Sequence, residues 1–403
     1  MRIKEINISG YRSLRSFTIH PGPVTVCVGP NGSGKSNIYN ALRLLKAAAA
    51  GEFARSIVTE GGMDSIFWAG ERTEDETGKI KIGLRTGAMS YSMRFGIMPR
   101  SERMKDGEGI RDRGLDYFKQ DPDIKFEQVE FMDRGKAIPL LKRKRAAVIA
   151  RNMEGRSIPY ALPLESGESV LSALREPQKF PELFKLRQDF LSWRFYHDFR
   201  TDLDSPIRKP QKATMTTVLS DNGHDLTSAI ATIWAVGDRE RFDSLIDLVF
   251  PGAEIDLDEE DGVLDIAMVS PGLYRKLSAR ELSDGTLQYL LLVTALLSPR
   301  PAPFMVLNEP ETSIHQDLIP SLAELIKEAS KKSQVFLTTH SQELASVLKK
   351  ESNCRLFELA KKEGATIVPA VKLEDQKDYE GDENEVEEGD LMEDFGDDED
   401  DEN

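Results

Sequence analysis

Gly29-Pro30-Asn31-Gly32-Ser33-Gly34-Lys35-Ser36 satisfies the pattern G-x-x-x-x-G-K-S and decides the fold of this chain. The β-branched run 24–28 precedes it and predicts a buried strand. Behind it, Ile38, Leu42 and Leu45 fall on one face of a predicted helix. Glycines let successive backbone N–H groups point inward at a phosphate, and a helix N-terminus adds partial positive charge. This strand–loop–helix order therefore indicates a phosphate-binding loop.

Individual positions of the loop have distinct expected roles. Lys35 is expected to reach the β- and γ-phosphates of ATP, and Ser36 to ligate Mg²⁺. Asn37 continues the nucleotide-binding stretch. Arg12 precedes the loop in sequence and is a candidate for phosphate or base contact, although a solvated surface arginine is an equal alternative.

Length and composition exclude some classes of protein. The chain has 403 residues, enough for one large domain or two ordinary ones. It has no apolar run of 18 residues and no N-terminal signal pattern, so we expect a cytoplasmic protein with no membrane partner. Cys27 and Cys354 fit no metal-binding spacing and are expected to be reduced core residues.

Negative charge is concentrated at one end of the sequence. The net charge is −16, but residues 374–403 contain 18 Asp and Glu residues against Lys377 alone, so the rest is nearly neutral. This stretch is expected to be a disordered acidic tail. It would act as a solubilising segment, or as a decoy that competes with nucleic acid for a basic groove.

The region 71–214 is predicted to be an insert of strands and helices. Runs 80–84 and 91–97 indicate a hairpin, 124–132 another strand, and 181–200 and 224–250 are helical in pattern. The basic run from Arg134 to Arg156 is either a solvated face or a nucleic-acid contact. The aromatic residues Trp193, Phe195 and Tyr196 are predicted to be mainly core.

A second group of polar residues follows later in the chain. Ser283-Asp284-Gly285 precedes an apolar helix, and the buried strand 304–307 then ends at Asn308-Glu309. Strand 335–339 is followed directly by His340. Polar groups after apolar parallel strands lie at one edge of a doubly wound sheet. There Glu309 would polarise a water for attack on the γ-phosphate, and His340 would hydrogen-bond a γ-phosphate oxygen.

The series GPNGSGKS, LSDGT, FMVLNEPET and TTHS resembles the ATP-binding-cassette (ABC) class of ATPases. The likeness is to its soluble branch of RecF, SMC-type heads and overcoming-lysogenisation-defect proteins, and nearest to stand-alone RecF-like AAA ATPases of bacteria. It implies an α/β P-loop NTPase head with a central, mainly parallel sheet, an antiparallel β subdomain and a helical insert. The chain would divide into head segments 1–70 and 215–373, the insert 71–214 and the tail 374–403.

The resemblance also assigns roles to residues. It makes Glu309 the general base, His340 the switch histidine and Lys35 a catalytic phosphate ligand. It makes Ser283, Asp284 and Gly285 a signature that contacts the nucleotide of a second copy.

One metal position departs from the family pattern. Asn308 stands where most relatives have an Asp that holds the water shell of Mg²⁺, so slow ATP hydrolysis is expected. The glutamine that links the two lobes in relatives is not identifiable, and Gln120 and Gln128 are only candidates.

The resemblance implies a homodimer that forms around two Mg·ATP. Such a dimer would act as an ATP-gated clamp on DNA in repair or genome maintenance. The alternative is a sensor or scaffold ATPase of an antiviral defence or toxin-type system that works through a separate protein effector.

Overall fold

The elements are taken from a computed structural model that describes residues 2–71, 78–97, 118, 120–134, 136–160, 164–197, 199–312, 314–350 and 353–369. The acidic stretch 374–403 lies outside these residues. The strands are β1 Ile3–Tyr11, β2 Leu14–Ile19, β3 Val24–Val28, β4 Ile80–Thr86, β5 Met89–Gly96, β6 Asp123–Asp133, β7 Lys136–Lys144, β8 Ala147–Arg151, β9 Ser157–Pro159, β10 Arg194–Tyr196, β11 Gln211–Lys212, β12 Glu254–Glu260, β13 Val263–Val269, β14 Leu277–Ser278, β15 Phe304–Asn308, β16 Gln334–Thr339, β17 Cys354–Glu358, β18 Ala360–Lys362 and β19 Ala365–Ile367. The α-helices are α1 Lys35–Ala50, α2 Phe53–Thr59, α3 Met63–Ile66, α4 Val170–Ala173, α5 Pro181–Ser192, α6 Leu226–Val236, α7 Arg239–Val249, α8 Asp284–Leu296, α9 Ile319–Ala329 and α10 Gln342–Lys349.

The described chain divides into two compact units, each made of separate stretches. The first unit takes the described parts of 1–21, 32–191 and 359–403, and the second takes 22–31 and 192–358. The division differs from the predicted segments, because the described parts of 1–21, 32–70 and 359 onward group with 71–191, and 192–214 groups with 215–358. The phosphate loop itself contributes Gly29–Asn31 to the second unit and Gly32–Ser36 to the first.

The first unit is built on an antiparallel sheet in the order β2-β1-β4-β5-β6-β7-β8-β9. Its strands alternate buried and partly exposed residues, as expected where one face covers a core and the other meets water. The predicted hairpin is β4 and β5, and β6 matches the predicted strand 124–132. A separate hairpin of β18 and β19 lies beside β2.

A buried ion pair lies on the core side of this sheet. Arg143 lies 3.7 Å from Glu127 and donates a 2.7 Å hydrogen bond to the Arg145 carbonyl. Tyr91 Oη and the Val170 N–H, at the start of α4, both donate to the Glu127 carboxylate. Burial lowers the pKa of the Arg143 guanidinium. Arg143 therefore belongs to the core, and this part of the predicted basic run is not a surface.

The second unit contains the predicted parallel sheet, in the order β10-β15-β16-β3-β17. Every residue of β3, β15 and β16 is buried, which explains why these segments read as continuous apolar runs. Helices α6 to α10 contribute to the same hydrophobic core. This arrangement confirms the predicted α/β class with a mainly parallel sheet. Cys27 lies inside β3, where burial raises the pKa of its thiol.

Two predicted helices have different bounds. The helix predicted over 181–200 ends at Ser192, because Arg194–Tyr196 instead pair in parallel with β15 as an edge strand. The helix predicted over 224–250 is two helices, with Asp238 accepting a hydrogen bond from the Arg241 N–H at the start of the second. Trp193, Phe195 and Tyr196 are buried, as predicted.

A smaller antiparallel sheet, in which β11, β12 and β14 all pair with β13, belongs to the second unit.

None of the helices within the described ranges combines the length and apolar character that a bilayer crossing requires.

Candidate nucleotide-binding site

In the first unit, the phosphate loop runs directly into α1. Gly32 and Gly34 have φ angles of 78° and 104°, which residues with a side chain rarely adopt. Gly34 precedes the helix, and its carbonyl accepts hydrogen bonds from the Asn37 and Ile38 N–H groups at 3.0 and 3.2 Å. Lys35 is the first helical residue and is buried, whereas Ser36 is exposed. Both predicted ligands thus lie at a helix N-terminus.

Several features of this loop fit a bound triphosphate. The Ser33 hydroxyl is buried and has no hydrogen-bond partner among the residues that the structure describes. Apart from Gly32 and its two chain neighbours, no described residue has an atom within 4 Å of where a Cβ on Gly32 would stand, so the loop leaves space there. Phosphate oxygens would supply the missing acceptor for Ser33, and the exposed hydroxyl of Ser36 is a suitable ligand for Mg²⁺.

A chain of hydrogen bonds supports the loop from behind. The Asn37 amide donates to Ser13 Oγ at 2.8 Å, and Ser13 Oγ lies 2.7 Å from Thr366 Oγ1. Thr366 Oγ1 donates to the Ser33 carbonyl at 2.8 Å. Because the Thr366 hydroxyl has only one hydrogen, Ser13 is the donor in the middle bond. The order is therefore Asn37 to Ser13 to Thr366 to Ser33, and sequence patterns gave no sign of Thr366.

Arg12, the other predicted nucleotide ligand, pairs with a carboxylate. Its guanidinium lies 3.0 Å from Glu60 Oε2, and its backbone has a φ of 47°. Tyr11 Oη also donates a short hydrogen bond to Glu60, and burial raises the pKa of this tyrosine. The ion pair with Glu60 therefore fixes the position of Arg12, the residue that precedes Ser13.

In the second unit, the ends of three strands meet at one edge of the parallel sheet. Asn308 pairs with Thr338, and Thr339 pairs with Val28, the last residue before the phosphate loop. His340 follows Thr339, and Gly29 follows Val28. The register therefore brings Asn308, His340 and the start of the loop to the same edge, as predicted.

Glu309 occupies a special backbone position at this edge. Its φ is 51°, and its N–H donates to the Thr338 carbonyl at 2.8 Å. Its side chain is 30 % exposed, and Oε2 lies 3.9 Å from His340 Nδ1. The left-handed turn ends β15 and leaves the carboxylate beside the imidazole, where both remain accessible to a ligand.

Glu311 is a residue of this site whose part the sequence did not reveal. It is buried, and its Oε1 accepts hydrogen bonds from Thr339 Oγ1 at 2.5 Å, His340 N at 3.1 Å and Ser341 N at 3.2 Å. The same oxygen lies 3.2 Å from His340 Nδ1. Glu311 therefore fixes the turn that presents His340. Its proximity to Glu309 in sequence was the available signal.

Asn308 is buried and both ends of its amide are engaged. Oδ1 accepts a 2.6 Å hydrogen bond from Thr338 Oγ1, and Nδ2 lies 2.7 Å from His197 Nδ1. With the amide nitrogen donating, His197 Nδ1 is the acceptor, so a neutral ring carries its hydrogen on Nε2. His197 directly follows the edge strand β10, a position that periodicity did not single out.

The two glutamine candidates lie in the first unit. Gln120 exchanges hydrogen bonds with Asp64, and Gln128 lies within β6 and donates to Glu130.

The predicted signature begins α8. Ser283 Oγ accepts a 3.1 Å hydrogen bond from the Thr286 N–H, and Asp284 Oδ1 accepts one of 2.7 Å from Arg208. Ser283 and Asp284 are exposed, and Gly285 is partly exposed. The buried Arg208 also donates to the carbonyls of Ala279 and Leu282 at 2.8 and 2.7 Å. Arg208, absent from the sequence predictions, thus fixes the shape of the loop that precedes the signature.

Comparison with known proteins supports an ATPase head fold. A crystal structure titled as the SmcHead bound to the C-winged helix domain of ScpA matches 93 % of this chain and 99 % of its own, with TM-score 0.52 and 17 % identity. An Smc head domain with a coiled coil and joint from Pyrococcus yayanosii matches 93 % and 98 %, with TM-score 0.50 and 13 % identity. These matches confirm that the chain shares the fold of an Smc head domain.

A sequence relative matches over a shorter stretch. The chromosome partition protein Smc of Clostridium kluyveri is 36 % identical over 86 residues, which is 21 % of this chain and 7 % of that protein. This chain therefore spans only a small part of the length of that relative.

A sequence-family model matches residues 24–346, from β3 to α10. That range contains the phosphate loop, the signature, Glu309 and His340. The chain belongs to the family described as "AAA domain, putative AbiEii toxin, Type IV TA system".

Proposed function

We propose that this protein binds and slowly hydrolyses Mg·ATP, and that ATP drives two copies into a head-to-tail dimer. The observation that carries the proposal is the sheet edge of the second unit, where Glu309 and His340 lie 3.9 Å apart and Val28 leads into the phosphate loop. Support from the first unit comes from the buried Ser33 hydroxyl, for which the described part of the chain offers no hydrogen-bond partner.

The residues would divide the work as follows. Backbone N–H groups of the loop, except at Pro30, which has none, and the Lys35 ammonium would bind the phosphates. Ser36 and the amide of Asn308 would hold the hydrated Mg²⁺. When bound, Mg²⁺ neutralises phosphate charge. Glu309 accepts a proton from the attacking water, a contribution of about 10²–10⁴-fold in rate. His340 donates to a γ-phosphate oxygen, and Glu311 keeps its ring in place.

Dimerisation is proposed because the signature is shaped but exposed. Arg208 bonds to the loop around Ala279–Asp284 from inside the unit, while Ser283 and Asp284 face solvent. A fixed, exposed helix N-terminus can contact an anion on a second copy, and it loses less conformational entropy on binding than a mobile loop would.

The test combines turnover with light scattering. Glu309→Gln should lose hydrolysis by about two orders of magnitude or more and should accumulate as a dimer with saturating ATP and Mg²⁺. Lys35→Ala should bind ATP weakly and stay monomeric. A Glu309→Gln protein that is monomeric with nucleotide bound would refute ATP-driven dimerisation.

DNA is the proposed substrate because a cationic row crosses the solvated face of the antiparallel sheet. Lys81 pairs with Arg94, Arg94 with Phe126, and Phe126 with Lys144, so these four side chains share one face. We name Lys81, Arg94, Phe126 and Lys144 the basic row. The Arg94 guanidinium lies 4.6 Å from the Phe126 ring centroid, and all four residues are partly exposed. A row of cations with an aromatic ring fits a nucleic-acid backbone.

The second candidate function acts through protein. Its support is the family description, which names a toxin of a type IV system, and the SmcHead neighbour, which binds the C-winged helix domain of ScpA. On this proposal the ATP-driven dimer would present a surface to an effector protein in a defence or toxin-type system, and the basic row would be a solvated face.

Salt-dependent DNA binding separates the two candidates. Changing Lys81, Arg94 and Lys144 to Gln should reduce the slope of log K against log salt by about two to three, since each phosphate contact contributes about 0.9. The matched control changes exposed Lys331, Lys332 and Lys350 to Gln and should leave the slope unchanged. Equal slopes in both variants would favour the protein effector.

A further inference from the structure

We propose that the β18–β19 hairpin is a positioning element of the phosphate loop, with Thr366 as its contact, so that ATP binding and hairpin docking stabilise each other. This inference rests on the proposed nucleotide site and deepens it. It concerns a segment more than 300 residues beyond the loop in sequence.

The hairpin is well defined in the first unit. Ala360 pairs with Ile367 and Lys362 with Ala365, leaving the two-residue turn Glu363-Gly364 with φ angles of 51° and 84°. Both angles are positive, as in the turn type that matches strand twist. A Cβ on Gly364 would stand 3.2 Å from the Trp68 ring, so the turn packs against that side chain.

Thr366 contacts the loop at Gly34, a position with no room for a side chain. A Cβ on Gly34 would stand 2.0 Å from Thr366 Oγ1 and 2.8 Å from Ser13 Oγ, so the two hydroxyls lie directly against the bare backbone of Gly34. Gly34 has a φ of 104° and leads into Lys35. The two hydroxyls therefore fill the space that the Cβ of any other residue at position 34 would need.

The hydrogen bonds of Thr366 have a defined donor and acceptor at each step. Thr366 is 1 % exposed, and its hydroxyl donates a hydrogen bond to the Ser33 carbonyl and accepts one from Ser13. The Thr366 N–H also donates to the Ser13 carbonyl at 2.8 Å. Donating to the Ser33 carbonyl fixes the peptide that joins Ser33 to Gly34. The N–H of Gly34 is then held in one orientation, as a phosphate requires.

Linkage follows from this geometry. If the hairpin holds the loop in its phosphate-binding form, nucleotide must by reciprocity hold the hairpin in its docked form. Removing the hydroxyl leaves the buried Ser13 donor and Ser33 carbonyl without their partners, so the loop would relax to regain them. The expected result is weaker nucleotide binding rather than a change in the chemical step.

The experiment measures Mg·ATP affinity, turnover and amide exchange in full-length variants. Thr366→Val should weaken ATP binding about five- to tenfold with little change in kcat, and Thr366→Ser should restore affinity to within about twofold. In the wild type, Mg·ATP should slow exchange of the Thr366 amide, and Thr366→Val should lose this protection. Ser13→Ala should weaken affinity like Thr366→Val, and the double variant should be no worse than either single variant.

Thr86→Val is the matched control. Thr86 is also buried, lies in the first unit, and donates to a carbonyl, that of Met89, at 2.9 Å. It should lower the melting temperature without altering ATP affinity. Unchanged affinity in Thr366→Val and Ser13→Ala, with ATP bound normally by the wild type, would overturn the hairpin inference alone. Failure of the wild type to bind Mg·ATP would instead overturn the proposed function.

Discussion

Among single residues, Asn308 most affects how the site is expected to behave. Its amide accepts from Thr338 and donates to His197. An amide can orient a metal-bound water through its oxygen, but it adds no negative charge to hold a cation. The expected consequence is a site that binds ATP and turns it over slowly.

Asn308→Asp should raise kcat for ATP hydrolysis, by about tenfold, because a carboxylate strengthens Mg²⁺ coordination. His197 Nδ1 would then have to donate rather than accept. The double variant Asn308→Asp/His197→Gln keeps a donor at that position and should retain the gain, measured by steady-state phosphate release. A rate that is unchanged or lower in Asn308→Asp would remove the charge explanation for slow turnover.

Glu309 and Glu311 offer a second comparison of single residues. The side chain of Glu309 is 30 % exposed, whereas Glu311 is buried and accepts hydrogen bonds from three donors around His340. Glu311→Gln should cost about 1–3 kcal/mol of unfolding free energy, because a neutral amide oxygen accepts these three hydrogen bonds more weakly than a carboxylate oxygen does. Glu309→Gln should leave the melting temperature nearly unchanged. Thermal unfolding of both variants checks this, and equal losses would contradict the assignment of Glu311 as the structural partner.

At the scale of elements, Arg208 connects the 3₁₀ turn Pro206–Arg208 to the loop before α8. It is 4 % exposed, and its partners are backbone carbonyls and Asp284. A guanidinium is suited to this task, because its donors point in several fixed directions at once.

Arg208→Met should destabilise the protein by about 2–4 kcal/mol, since the carbonyls of Ala279 and Leu282 lose charged donors. Its sharper effect should be on assembly. We expect ATP to bind each copy normally, while the ATP-driven dimer of a Glu309→Gln background weakens or disappears in light scattering. Asp284→Asn, which keeps the loop bonds, is the milder control. A double variant that dimerises as well as Glu309→Gln alone would show that Arg208 does not shape the signature.

Sequence reasoning predicted some elements well and others poorly, for physical reasons. Strands β3, β15 and β16 are buried on both faces, so their continuous apolar runs predicted them. Strand β10 has only three residues, too few to show an alternating pattern in the sequence. It is a strand because it pairs with β15. Arg143 lay in a basic run that favoured a surface, but Glu127 from another strand compensates its burial. Thr366, Arg208 and Glu311 act through distant or backbone partners, which no local pattern contains.

For the whole molecule, charge is distributed unevenly. Residues 374–403 carry a net charge of −17, from 18 Asp and Glu against one Lys, compared with −16 for the whole sequence, while the basic row lies in the first unit. The two features predict opposite effects on a polyanion such as DNA.

Removing residues 374–403 should tighten DNA binding at low salt and steepen its salt dependence, because a competing polyanion is lost. The measurement is a titration of fluorescent duplex across a salt series, with and without the segment. Adding back a peptide of sequence 374–403 should inhibit the truncated protein and not the Lys81/Arg94/Lys144→Gln variant. Identical curves for the two lengths would leave the acidic stretch a purely solubilising role.

The strand order of the parallel sheet has a consequence for how the protein is made. β3 lies between β16 and β17, whose residues come more than 300 positions later. During translation, strand β3 therefore stays without its neighbours in the sheet until residues 334–358 have emerged from the ribosome. A nascent chain stalled before residue 334 would expose an unpaired apolar strand, so synthesis itself should be the stage at which this protein most needs chaperones.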